Sequence, residues 1–136
     1  MAGYSGKPLV DKLGVKPGAQ VALVGAPDGF ESALEPLPAG ATVRRRLRRG
    51  TDVAVMFSTS RAELARKWVQ VTGAVGPTGA VWVAWPKKAS GVATDMTEHA
   101  VRDVVLPTGW VDVKVAAIDD TWSGLKCVLR LERRPP

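Results

Sequence analysis

Short apolar runs closed by glycine or proline alternate along this chain with segments of helical spacing. Val21-Ala22-Leu23-Val24, within Gln20 to Gly25, is followed by Asp52-Val53-Ala54-Val55-Met56-Phe57 and Ala80-Val81-Trp82-Val83-Ala84-Trp85. None alternates with polar residues, which predicts strands buried on both faces of a sheet. Ala41 to Leu47 predicts another strand, with arginines suited to a sheet edge, where charge discourages pairing with other chains. Leu13 to Gly18 reads as the end of a short helix and a Pro17-Gly18 turn. Residues 31 to 40, with Pro36, Pro38 and Gly40, read as an irregular connection holding about one helical turn.

Two longer helices follow from capping and periodicity. Ser60 and Glu63 form an S-x-x-E box, and Leu64, Trp68 and Val71 fall on one face behind it, up to the Gly76-Pro77-Thr78-Gly79 stop. Asp95 with Glu98 predicts a second start, with Met96, Ala100, Val101 and Val104 as its apolar stripe and Pro107 and Gly109 as its end. Pro86 is expected to end strand pairing and to open a polar loop over 87–94. Trp110 to Ile118 and Leu125 to Leu131 predict an antiparallel hairpin around Asp119 to Gly124. Strands separated by helices imply parallel pairing. The expected class is therefore α/β: a Rossmann-like three-layer open sheet, mostly parallel, with a C-terminal antiparallel hairpin. One domain over 1–136 is expected.

Composition narrows the field. Hydrophobic residues make up 46% of the 136, which supports a folded core, and no apolar run approaches the length of a membrane span. The N-terminal stretch has no secretory apolar segment. Cys127 is the only cysteine and His99 the only histidine, which argues against a disulfide and against a structural zinc site. These features point to the cytoplasm. The net charge of +6 favours anionic partners. Much of it sits in Arg44-Arg45-Arg46-Leu47-Arg48-Arg49 and in the tail from Arg130 to Arg134. Surface solubility and nucleic-acid binding through Arg44, Arg45, Arg46, Arg48 and Arg49 are the competing meanings of the first cluster.

In an open parallel sheet, ligands bind outside the carboxyl ends of the strands. Three loops are expected there: Gly25 to Phe30, Ser58-Thr59-Ser60, and Trp85 to Thr94, joined by Asp119 to Trp122. The ligand-binding candidates are Gly25, Asp28, Gly29, Ser58, Lys87, Lys88, Ser90 and Trp122. The glycines would admit close backbone approach, the lysines and serines would meet an anion, and Trp122 would stack on a planar group. Asp95 is expected to cap a helix, and Asp28 suits a turn. Trp68, Trp82 and Trp110 read as core, and Trp85 lies near the rim. Cys127 reads as a small buried hydrophobe and His99 as helix surface. Gly25-x-x-x-Gly29 is neither a dinucleotide fingerprint nor a Walker loop. A methyltransferase-type site would want a glycine cluster after the first strand and an acidic residue ending the second, where this chain has arginines.

Gly3-Tyr4-Ser5-Gly6-Lys7-Pro8-Leu9 with Lys12-Leu13-Gly14, and Trp85 to Asp95 (W-P-K-K-A-S-G-V-A-T-D), resemble the signature segments of a bacterial family of small domains of unknown function. Val111 to Val115 with Asp119, Trp122, Ser123 and Gly124 fits the same family. The resemblance covers nearly the whole chain, closely over Trp85 to Asp95 and loosely through the arginine-rich middle. It implies a cytoplasmic bacterial protein and brings with it no activity, cofactor or catalytic residue. The expected hairpin at the end of a parallel sheet is, in addition, similar to reduced Rossmann-like methyltransferase domains.

Four readings follow. The first is a non-catalytic binding or regulatory domain for a small anionic or nucleotide-like ligand at the strand-tip crevice. The second is a reduced methyltransferase-like enzyme using Lys87, Lys88, Asp119 and Asp120. The third is a nucleic-acid binder using the arginine cluster. The fourth is an interaction scaffold, with a homodimer through the hairpin.

Overall fold

The computed structural model describes residues 7–135, so Gly3 to Gly6 of the resembling N-terminal segment lie outside it. Among the described residues six strands form one sheet: β1 (Gln20–Val24), β2 (Thr42–Arg44), β3 (Val53–Phe57), β4 (Ala80–Pro86), β5 (Trp110–Ala117) and β6 (Trp122–Leu129). Their order is β2-β1-β3-β4-β6-β5. β1 pairs in parallel with β2 and β3, and β3 with β4, while β6 runs antiparallel to both β4 and β5. This is the expected α/β open sheet, mostly parallel with an antiparallel C-terminal pair.

The unalternated runs lie where that pattern places them, in the middle of the sheet. All seven residues of β4 and all five of β3 are buried. Two cores form, one on each face. Val81, Val83 and Trp85 of β4 pack with Leu64, Trp68, Val71 and Val101. These last residues belong to α2 (Arg61–Val75) and α3 (Glu98–Val105). Trp82 and Ala84 pack on the other face with Leu13, Phe30 and Leu34, from α1 (Leu9–Leu13) and the 3₁₀ helix Phe30–Leu34. The indole of Trp82 donates to the Leu13 carbonyl at 3.1 Å, which ties α1 to the centre of the sheet.

Several boundaries differ from those the sequence predicts. The second strand is three residues long rather than Ala41 to Leu47, because Arg45 leaves the ladder to bond the loop after β1. The α3 cap is Thr97, whose hydroxyl accepts from Ala100 N at 3.0 Å. Asp95 instead accepts from Arg61 N at 2.8 Å, at the start of α2. Pro86 stays paired, opposite Trp122, because a proline ends a ladder only where its missing N–H was needed. β6 starts at Trp122 rather than Leu125, and the hairpin turn shrinks accordingly. Trp85 is buried among α2 and α3 residues rather than standing at the rim. Ser60 does cap α2, accepting from Glu63 N.

Two outcomes test this packing. Trp82→Phe strands the buried Leu13 carbonyl and is expected to cost about 1–3 kcal/mol in urea unfolding. Cys127 is fully buried, and that burial pushes its thiol up to about 12. Iodoacetamide at mildly alkaline pH should therefore leave the native protein unlabelled and label it fully in denaturant.

Candidate functional site

Parallel pairing brings the carboxyl ends of β1, β3 and β4 to one ridge. Gly25 stands at the tip of β1 with φ +68°, and a Cβ there would come 3.1 Å from the Phe57 carbonyl, so the tips of β1 and β3 are in close contact. Lys87 is held across the end of β4 by the β5–β6 turn. Its N–H donates to Thr121 O at 2.8 Å and its ammonium to Asp119 O at 2.7 Å. The loop beyond it is strapped over the tip of β3. Thr94 donates to Thr59 O at 2.6 Å, and Asp95 holds the first N–H of α2.

The ridge is packed rather than open at its centre. Phe57 stands edge-on to Phe30 at 4.9 Å and to Trp122 at 5.0 Å between ring centroids. Ser58 is 2% exposed, and its hydroxyl has no hydrogen-bond partner among the described residues. An unpaired buried hydroxyl costs about 1–3 kcal/mol, which makes this a strained point of the ridge.

Arg45 occupies the mouth of the first loop. Its guanidinium donates to Ala26 O and Pro27 O, both at 2.8 Å, and makes a two-point pair with Glu31 at 2.7 and 2.9 Å. The Arg45 hydrogen bonds hold the Glu31 carboxyl down at about 2. Counting charges along the ridge, Arg45, Arg61, Lys87 and Lys88 face Asp28, Glu31, Asp95, Asp119 and Asp120. The excess positive charge of the protein therefore lies elsewhere.

The predicted ligand residues fall out unevenly on this geometry. Gly25, Asp28, Gly29, Ser58, Lys87, Lys88, Ser90 and Trp122 all belong to the ridge or its loops. Lys87 is engaged by Asp119 O. Ser90 is engaged within its own turn, donating to Lys87 O at 2.7 Å and accepting from Val92 N. Trp122 packs edge-on to Phe57. Lys88, Asp28 and the two glycines are exposed. His99 is an exposed residue of α3, 3.6 Å from Asp103.

The basic excess collects near the amino ends of the parallel strands. The chain from Arg45 to Asp52 crosses from β2 to β3, with Leu47 packed against the α2–α3 core. Arg44, Arg46, Arg48 and Arg49 line a cavity of about 200 Å³ with Gln20, Gly50 and Thr51. Arg44 donates to Gln20 Oε1 at 2.5 Å. Among the described residues, no ion pair or hydrogen bond engages the guanidinium of Arg46, Arg48 or Arg49. A second cavity, of about 430 Å³, is lined in part by Lys16, Asp52, Lys126 and Arg134. Sequence reasoning found the arginine run and the basic tail but missed Gln20, Thr51, Lys16 and Lys126. Nothing in their spacing along the chain marks residues 16, 20, 51 and 126 as cavity residues; the folding of distant segments does.

No family model matches the chain, and no curated protein matches it. Solved structures do. A putative type 11 methyltransferase from Sulfolobus solfataricus aligns over 100% of this chain and 98% of its own, with TM-score 0.68 and 10% identity. A SAM-dependent methyltransferase from Aquifex aeolicus aligns over 92% and 89%, with TM-score 0.59 and 14% identity. A ribosomal protein L11 methylase from Lactobacillus delbrueckii aligns over 90% and 75%, with TM-score 0.60 and 13% identity. The fold is that of the SAM-dependent methyltransferases.

S-adenosylmethionine (SAM) brings ribose hydroxyls and a sulfonium cation, both of which call for acceptors and negative charge. At the end of β2 this methyltransferase-like fold carries Arg45, a donor-only cation that has already taken the Ala26 and Pro27 carbonyls. Arg45 therefore supplies no acceptor for a ribose at the end of β2. The clamp itself is testable. Because the folded Glu31 value lies below its ordinary 4.5, the pair's stabilisation is complete above about 4.5 and fades as pH falls toward about 2. A carboxyl ¹³C NMR titration should place Glu31 near 2, and Arg45→Ala should return it toward 4.5.

Proposed function

We propose that the chain is a non-catalytic binding domain on a methyltransferase-like frame, and that its ligand is a small phosphate-bearing anion held in the arginine-lined cavity. One observation carries this reading: Arg44, Arg46, Arg48 and Arg49 converge on one cavity, and three of these guanidinium groups have no partner among the described residues. Guanidinium forks match phosphate oxygens in pairs, and each such charge-assisted bond is stronger than a neutral one. At about 200 Å³ the cavity is smaller than the usual site for a drug-sized ligand, which suits a phosphate or diphosphate group. The strand-tip ridge supports an anionic ligand less well. Its acidic and basic groups are balanced, and Arg45, Lys87 and Asp95 are spent on holding loops together.

A second reading, SAM-dependent methyl transfer at the ridge, has the fold comparisons in its favour. It requires Arg45 to release the loop after β1.

Two calorimetric titrations decide between these readings. Inorganic pyrophosphate should bind the wild type, and Arg48→Ala should weaken it about tenfold, or about 1.4 kcal/mol. SAM should give no heat of binding, and Arg45→Ala should not create any. Measurable SAM affinity together with silent pyrophosphate would replace the first reading with the second.

A further inference from the structure

The positive charge of the amino pole continues past the arginine cavity. Gln20 lines the arginine cavity and Asp52 lines the second one, and the two residues are hydrogen-bonded to each other. Gln20 N donates to Asp52 Oδ2 and Asp52 N donates to Gln20 O, both at 2.8 Å. With Asp52 in the second cavity stand Lys16, Lys126 and Arg134. Among the residues lining the two cavities, Asp52 is the one carboxylate, and its oxygen is already taken by Gln20 N.

Like charges are crowded here. Lys126 is half-buried on β6, and that burial, with Lys114 and Lys16 nearby, pulls its ammonium below the ordinary lysine value. Such crowding opposes folding by self-repulsion, and an anion arriving from solvent relieves it. A single small anion would satisfy one cavity and leave the other. A chain of regularly spaced phosphates would serve both. Among the described residues no aromatic lines either cavity, so they offer no platform for stacking bases, and recognition would fall on the backbone alone.

We infer that this pole is a docking surface for the phosphate backbone of a nucleic acid, which runs from the arginine cavity past the hydrogen-bonded Gln20–Asp52 pair to the cavity of Lys16, Lys126 and Arg134. The inference rests on the reading that the arginine cavity takes phosphate, and it adds the partner and the second half of the site. Binding is set by charge rather than by base sequence, and it spans both halves of the sheet's amino end.

The test uses the full chain, fluorescence anisotropy with labelled single-stranded oligonucleotides of two unrelated sequences, and calorimetry with pyrophosphate. Contact with about four phosphates gives a log–log salt slope near −3, so affinity should fall about sixtyfold between 50 and 200 mM salt, equally for both sequences. Lys16→Ala with Lys126→Gln should weaken the oligonucleotide about fivefold, reduce the slope by about one and leave pyrophosphate binding unchanged. Arg134→Ala should act in the same direction, and it guards against a folding defect in the double variant. Arg66→Ala with Lys67→Ala removes the same charge from α2 and should change oligonucleotide affinity by less than about twofold, as expected of charges away from the contact. Pyrophosphate binding without oligonucleotide binding would overturn this inference and leave the small-anion reading standing. Oligonucleotide binding that ignores Lys16, Lys126 and Arg134, or that falls as much in the α2 variant, would overturn it as well. Loss of both ligands would overturn both readings.

Discussion

The rest of the fold depends on β4 being buried from end to end while serving two cores at once. Its side chains alternate between them, with Val81, Val83 and Trp85 toward α2 and α3, and Trp82 and Ala84 toward α1 and the 3₁₀ helix. The same strand is the hinge of the sheet's polarity, parallel to β3 on one edge and antiparallel to β6 on the other. Burying a strand on both faces demands apolar residues at every position, and it demands that each indole N–H find an acceptor. Trp82 meets the second demand through Leu13 O, so the strand that organises the core also fixes the first helix.

This packing leaves the two poles of the sheet unlike each other. At the carboxyl pole, loops are stitched together by their own charged groups: Arg45 to Ala26 O, Pro27 O and Glu31, Lys87 to Asp119 O, and Asp95 to Arg61 N. At the amino pole the crossover from β2 to β3 contains no helix, so arginines that would otherwise lie along a helix face instead gather around the ends of β1 and β3. A frame shared with methyltransferases thus carries its uncompensated charge at the pole opposite the strand-tip ridge. Fold likeness at 10–14% identity fixes the course of the backbone and leaves the chemistry to side chains such as Arg45.

Much of the architecture was legible in the sequence because it follows from local pattern. The runs at 21–24, 53–57 and 80–85 could be buried only as central strands, and the Ser60–Glu63 box with Leu64, Trp68 and Val71 could form only an amphipathic helix. The misread details share one cause, which is competition by distant groups. Asp95 had the residue type and spacing of an α3 cap, yet its carboxylate accepts from Arg61 N, brought near by the sheet, in place of an N–H of α3. The second strand broke off at Arg44 because the carbonyls at 26 and 27 offered Arg45 better partners than a ladder edge did. Trp85, next to Pro86, resembled a rim residue until α2 and α3 closed over it.

The sequence by itself determined the class of fold, the direction of the strands, the convergence of three loops on one ridge and the existence of an arginine surplus. All of these depend on periodicity, chain order and composition, which are properties of neighbours along the chain. Only the tertiary structure decided that Arg45 fills the first loop, that Ser58 is buried without a partner among the described residues, and that residues 16, 126 and 134 line one cavity. Those facts depend on contacts between segments separated by tens of residues, and their free energy comes from burial and pairing that no local window contains.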